Sequence, residues 1–94
     1  MIINLIQLNA TPQKRRELAQ TLSSLATDIR NVKGCISHHA YQDLEDKNIF
    51  SLIQEWESKE TLETFLRSEL FHIFGGAAAI LSGSQHTILG EKQK

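Results

Sequence analysis

The chain has little with which to build a covalent or metal-held framework. Its 94 residues include one cysteine, Cys35, and one proline, Pro12. A lone thiol excludes an internal disulfide and predicts a reducing compartment, hence a cytoplasmic protein. The four histidines, His38, His39, His72 and His86, show no His-x-x-x-His or Cys-x-x-Cys spacing. His38 and His39 are adjacent on a predicted strand and so point to opposite faces, His38 sharing its parity with Ile36 and Ala40. No metal site is expected. The acidic turn Asp43 to Asn48 lacks the glycine and distal glutamate of a calcium loop, with Asn48 and Gln54 in those places. Gly75-Gly76 alone makes no phosphate loop. A net charge of −1 offers no field for nucleic acid or anionic lipid. The one basic cluster, Lys14-Arg15-Arg16, falls early on a predicted helix and reads as a solvated face. No apolar run reaches membrane length, and MIINLIQL has no basic lead and is interrupted by Asn4 and Gln7. Neither nucleic acid nor membrane is expected as a partner.

What is present suits one globular domain over residues 1–94, ordered to about residue 90 with a short polar tail. Ile2 to Leu8 reads as a strand. Thr11 and Pro12 mark a helix start, and Leu18, Leu22, Leu25 and Ile29 set one apolar stripe on that helix. Gly34 stands where a helix ends in the left-handed conformation. Cys35 to Asp43 and Asn48 to Glu57 read as two more strands across the acidic turn. The second of these carries Phe50, Leu52, Gln54 and Trp56 on one face and Ile49, Ser51, Ile53 and Glu55 on the other. A helix capped by Ser58 puts Leu62, Phe65, Leu66 and Leu70 on one side. Ser68-Glu69 restarts it, Gly75-Gly76 is expected to break it, and Ala77 to Leu81 forms a last turn ended by Gly83. Ser84 to Gly90 is a fourth strand.

The order β-α-β-β-α-β predicts a ferredoxin-like α+β fold, a four-stranded antiparallel sheet with helices on one face. Both faces of the third strand are partly apolar, so the uncovered face calls for a cover. A second copy of the chain, making a homodimer, is the natural one. Trp56 is the only tryptophan. It is either a core anchor beneath the second helix or one wall of an aromatic pocket shared with Phe50, Phe65 and Phe71. The lone Cys35 reads as a small buried hydrophobe.

Two stretches resemble a known family. Gly34-Cys35-Ile36-Ser37 with Tyr41-Gln42-Asp43-Leu44-Glu45-Asp46 is similar to the "PGC-x-S…Y-x-D-x-E-D" pattern of antibiotic biosynthesis monooxygenase (ABM) domains. Glu55-Trp56-Glu57-Ser58-Lys59-Glu60-Thr61-Leu62 resembles that family's "E-x-W-x-S-x-E-x-L" region, and Arg67-Ser68-Glu69-Leu70-Phe71 continues the likeness. The resemblance implies a homodimeric α+β barrel of two facing sheets. It implies a cofactor-independent monooxygenase that oxidises a small hydroxylated aromatic, a quinol or anthrone, with O₂. A haem-degrading monooxygenase and a non-catalytic binding or dimerisation module are the alternatives the family offers.

Two departures stand out. Phe65 occupies the place of a histidine that many quinol-oxidising relatives carry. The tryptophan and histidine of the haem-degrading branch fall at Phe65 and near Gly75, with His72 one turn earlier. A cofactor-free oxygenase needs a dry aromatic cup, hydrogen bonds to a developing oxyanion and a proton acceptor. His72 and His38 are the candidate catalytic bases. Trp56, Phe65, Phe50, Phe71 and Tyr41 are the candidate substrate contacts, with His39 and Gln54 as further polar candidates.

Overall fold

A computed structural model of the chain describes the backbone of residues 1–91 and the side chains of residues 1–83. Strand β1 (Ile2–Ala10) runs into a single 3-10 turn at Pro12–Lys14 and then helix α1 (Arg15–Arg30). Strands β2 (Cys35–Gln42) and β3 (Ile49–Trp56) form a hairpin, followed by α2 (Lys59–Leu66), α3 (Glu69–Leu81) and β4 (Ser82–Glu91). The sheet order is β2-β3-β1-β4 and every neighbour pair is antiparallel. This is the ferredoxin-like arrangement that the element order predicts, with the second helix split in two.

The local chemistry accounts for most boundaries. Thr11 has an extended backbone but its hydroxyl caps nothing, so the first turn tightens to 3-10 before α1 begins. Gly34 has φ of +89°, and a Cβ there would sit 2.6 Å from Thr61 Cγ2. Only glycine suits both the left-handed backbone and that close approach. The same Thr61 completes a reciprocal cap with Ser58: the Ser58 Oγ accepts from Thr61 N at 3.2 Å, and Thr61 Oγ1 accepts from Ser58 N at 3.3 Å. Ser68 starts α3 in the same manner, its Oγ accepting from Phe71 N at 3.2 Å.

Three expectations are corrected. Gly75-Gly76 does not break the helix, and α3 runs unbroken from Glu69 to Leu81. Phe74, Ala78 and Leu81 are buried on either side of the pair and hold the helix against the core, which outweighs the roughly 1 kcal/mol that a mid-helix glycine costs. Gly83 does not end the helix either. Ser82 already has a strand backbone and its Oγ donates to Ala78 O at 2.6 Å, so β4 starts two residues earlier than Ser84. Lastly, β2 carries an irregularity between Cys35 and Ser37, with Cys35 opposite Trp56 and Ser37 opposite Glu55. Ile36 is therefore half exposed and does not share a face with His38, as strict alternation would require. Of the expected tail, Glu91 closes β4 and residues 92–94 lie outside the described residues.

The helices cover one face of the sheet. Ile6, Leu8 and Ala10 of β1, Phe50 and Leu52 of β3, Leu18 and Leu22 of α1 and Phe74, Ala78 and Leu81 of α3 form one buried cluster. A smaller cluster at the other end joins Ile29, Trp56, Leu62 and Phe65, with Phe71 packed against both. The opposite face of the sheet presents Ile3, Leu5, Ile49 and Ile53 only partly buried, the last 38% exposed.

Candidate functional site

Where the two clusters meet, three polar side chains are buried beneath the helices: Asn4 on β1, Gln54 on β3 and His38 on β2, none more than 1% exposed. Asn4 and Gln54 face each other across the β1–β3 ladder, and Gln54 faces His38 across β2–β3, so the sheet register lines the three up on one level. Asn4 Nδ2 donates to Gln54 Oε1 at 2.9 Å, Trp56 Nε1 donates to the same oxygen at 3.1 Å, and Gln54 Nε2 lies 3.2 Å from His38 Nδ1.

The direction of these bonds follows from one group. An indole N–H can only donate, so the Gln54 atom facing Trp56 must be its carbonyl oxygen. The Asn4 atom on that oxygen must then be its amide nitrogen, and the Gln54 nitrogen must donate to His38 Nδ1. His38 is thereby held as the Nε2–H tautomer. Burial first, then the Arg30 guanidinium and neighbouring His39, push the His38 imidazole down to about 4 from 6.5, so it is neutral at physiological pH. Arg30 is tied in place, its Nε donating to His38 O at 2.9 Å. At the far end the chain of bonds stops short. Asn4 Oδ1 is buried and has no partner among the described residues. An acceptor left so costs about 1–3 kcal/mol relative to a satisfied one.

Against this row lies an aromatic ladder. Trp56 stacks on Phe65 with ring centroids 4.8 Å apart, Phe65 meets Phe71 edge-on at 5.3 Å, and Phe71 stacks on Phe74 at 5.7 Å. Between ladder and sheet runs a thin seam, nowhere wide enough for a water molecule. Ile6, Ile29, Leu52, Gln54, Phe65, Phe71 and Phe74 line it.

The structure thus brings together Trp56, Phe65, Phe71, His38 and Gln54, and adds Phe74 and Asn4. Trp56 is fully buried, as a core anchor would be, while its N–H takes part in the polar row. Phe50 belongs to the other cluster, on the floor of a separate open groove of about 420 Å³ between α1 and β2. Tyr41 is 53% exposed on β2, beside His39 and along that groove. His72 is exposed on α3. The side chain of His86 lies outside the described residues. Burial pushes the Cys35 thiol up, so at neutral pH it is no activated nucleophile. No group of three or more metal-binding side chains occurs among the described residues. Within those residues no helix is long and apolar enough to cross a membrane. Asn4 escaped sequence reasoning because a single Asn in an apolar strand looks like an interruption; its parity with Ile2, Ile6 and Leu8 was the available signal.

The family model for antibiotic biosynthesis monooxygenase matches residues 1–75, which takes in the whole polar row and the aromatic ladder. The chain belongs to the ABM family. Its fold is shared across wide sequence divergence. A protein from Deinococcus radiodurans superposes with a TM-score of 0.94 at 21% identity, over 100% of this chain and 94% of that one. A crystal structure described as an antibiotic biosynthesis monooxygenase gives 0.90 at 17% identity, with both chains covered fully. PA3566 from Pseudomonas aeruginosa gives 0.89 at 22% identity, over 99% of this chain and 94% of that one. Among curated proteins none matches. At such identities the ABM neighbours speak for the fold, and function must be argued from the site.

Proposed function

We propose that this ABM protein is a cofactor-independent monooxygenase that oxidises a small hydroxylated aromatic of the quinol or anthrone kind with O₂. The observation that carries it is Gln54, a buried amide on the wall of an aromatic seam that Phe65, Phe71 and Phe74 also line. The overall reaction of a quinol balances as quinol plus O₂ giving hydroxyquinone plus H₂O. An electron-rich phenolate can itself reduce O₂, so the protein has to bind, orient, desolvate and manage one proton.

This reading assigns the following roles. Phe65, Phe71 and Phe74 sandwich the ring. Gln54 Nε2 has a second N–H beyond the one on His38, and it donates to the substrate oxygen as negative charge develops there. His38 fits poorly as the base, since a group with a pKa of about 4 is badly matched to a phenolic proton. Its work is to hold Gln54. His72 is the proposed proton acceptor. It is exposed on the first half of α3, next to Phe71, and this role requires that half-helix to turn on the Gly75-Gly76 pair so that His72 reaches the seam. The residues do not fit a haem: Phe65 and Gly75 offer iron no ligand, and the seam is far too small for the macrocycle.

The homodimer belongs to the same proposal. Ile3, Leu5, Ile49 and Ile53 on the uncovered sheet face support burial against a second copy, and sedimentation should find a dimer at micromolar concentration. That face also favours a second reading, an ABM module that dimerises and binds an aromatic ligand without turning it over. Oxygen-electrode traces separate the two. Purified, chelator-treated protein should consume O₂ with an easily oxidised quinol, and His72→Ala should lower the rate by about 10²-fold or more. Uptake no faster than the protein-free blank across several quinols leaves only the binding module.

A further inference from the structure

We infer that the open groove between α1 and β2 is a peptide site, taking an extended C-terminal segment as an added strand on the edge of β2 with its carboxylate on Arg30. The groove shares no lining residue with the aromatic seam, so this stands apart from the oxygenase proposal. β2 is the last strand of the sheet on that side. Asp43 N donates to Ile49 O on β3 at 2.9 Å. Successive strand residues turn their N–H and C=O groups to alternate sides, so Tyr41 and His39 also bond to β3 while Gln42, Ala40 and His38 face out. The Arg30 Nε agrees with this, donating to His38 O at 2.9 Å. Sheet edges are ordinarily blunted by charge or proline. β2, CISHHAYQ, has no Lys, Arg, Asp, Glu or Pro. Arg30 covers His38 O alone, and the outward main-chain groups of Ala40 and Gln42 stay open among the described residues.

The groove has the length and the chemistry of such a segment. From Ala19 to Arg30 its helix side is roughly 16 Å long at about 1.5 Å per residue. That is room for about four extended residues at about 3.3 Å each. Leu22, Ala26 and Phe50 are buried and line it, and the small Ala19 and Ala40 keep it open. Arg30 is the one charged residue on its lining, and it stands at the His38 end. Among the described residues Arg30 has no acidic partner, and its terminal nitrogens make no hydrogen bond. A guanidinium so placed fits a carboxylate bidentately. With the carboxylate there, the peptide runs antiparallel to β2, the better-paired direction. Alternate side chains then turn onto Leu22, Ala26 and Phe50, which suits small apolar residues. A fatty acid would satisfy Arg30 and the apolar lining but leave the edge of β2 unpaired, so the open edge favours the peptide.

The test is a ¹H–¹⁵N NMR titration of the full chain with the peptide acetyl-AVAV, as free acid and as C-terminal amide, and with sodium octanoate. In the free protein the Ala40 and Gln42 amides should exchange rapidly with D₂O. Saturating acid peptide should shift them together with Thr27 and Arg30, and slow their exchange at least about tenfold. The amidated peptide should bind at least about tenfold more weakly, and Arg30→Gln should weaken the acid to the same degree. Ala40→Pro removes an outward N–H, which an edge strand tolerates, and should abolish binding with the circular dichroism unchanged. Should that variant not fold, the acid–amide comparison and Arg30→Gln decide. Ala40 and Gln42 amides already protected in the free protein mean that a second copy covers the edge, and overturn the proposal. So do equal binding of acid and amide, full binding by Arg30→Gln or by folded Ala40→Pro, and no shifts at about 1 mM peptide. Octanoate moving the groove resonances where the peptide does not makes this a fatty-acid site, and overturns it too.

Discussion

Replacing His38 by Asn isolates the proton linkage of the buried row. The Asn Oδ1 can stand where His38 Nδ1 stands and still accept from Gln54 Nε2, so the amide row survives while the titrating ring is gone. In the folded wild type the imidazole is held at about 4 against an ordinary 6.5. A depressed histidine means that the unfolded chain binds the extra proton. Stability is therefore complete above about pH 6.5 and is lost as pH falls toward 4. The full difference is on the order of 3 kcal/mol, of which roughly 2–3 kcal/mol should be gone by pH 4.5. Burial is the main cause, with Arg30 and His39 adding repulsion, so higher salt should trim the effect only slightly. The assay is urea unfolding of wild type and His38→Asn from pH 7.5 to 4.5, taken as a difference so that the carboxylates common to both cancel. At pH 7.5 the variant should be less stable by about 1–2 kcal/mol because a buried ring has been trimmed. By pH 4.5 that gap should close or reverse. A gap that stays constant across the range refutes the neutral, buried His38 on which the direction of the whole row depends.

Other substitutions probe the frame around the site. Gly34→Ala combines a positive φ with a collision against Thr61 and should cost more than about 2 kcal/mol by chemical denaturation, undoing the Ser58 cap as well. Gly75→Ala and Gly76→Ala should each stabilise by about 0.5–1 kcal/mol, because a Cβ at either position meets nothing within 4 Å. If α3 turns on that pair to admit ligand, the double variant should also bind more slowly in stopped flow, whereas an unchanged rate with raised stability removes the hinge. Trp56→Ala should lose about 3–5 kcal/mol and lower the melting temperature with or without ligand. Full thermal stability with only binding lost would make Trp56 a pocket wall and not a core anchor.

The fold was legible because each boundary carries its own chemistry. Ser58 and Ser68 cap the two helices they precede, Gly34 supplies the left-handed turn, and the alternation in β3 places Phe50, Leu52, Gln54 and Trp56 on the buried face. Where the reading failed, tertiary packing overrode local preference. Gly75-Gly76 stays helical because Phe74 and Ala78 anchor it, and the irregularity at Ile36 turns the parity of β2, which no pattern in Cys35 to Ser37 announces. The site was half legible. Aromatic residues near one another in sequence, Trp56, Phe65 and Phe71, do meet in space, whereas Phe50, on the same face as Trp56, packs in a different cluster. The polar row was the least legible part. It joins β1, β2 and β3 through register, with fifty positions between Asn4 and Gln54, and single residues at that separation leave no local trace.

Mass spectrometry of the product formed from a quinol under ¹⁸O₂ tests the oxygenase chemistry most directly. Incorporation of one ¹⁸O atom per hydroxyquinone, the second oxygen appearing as water and Gln54→Leu forming little product, is the expected result. Product formed without ¹⁸O, hydrogen peroxide in place of water, or no product above the protein-free control would contradict it.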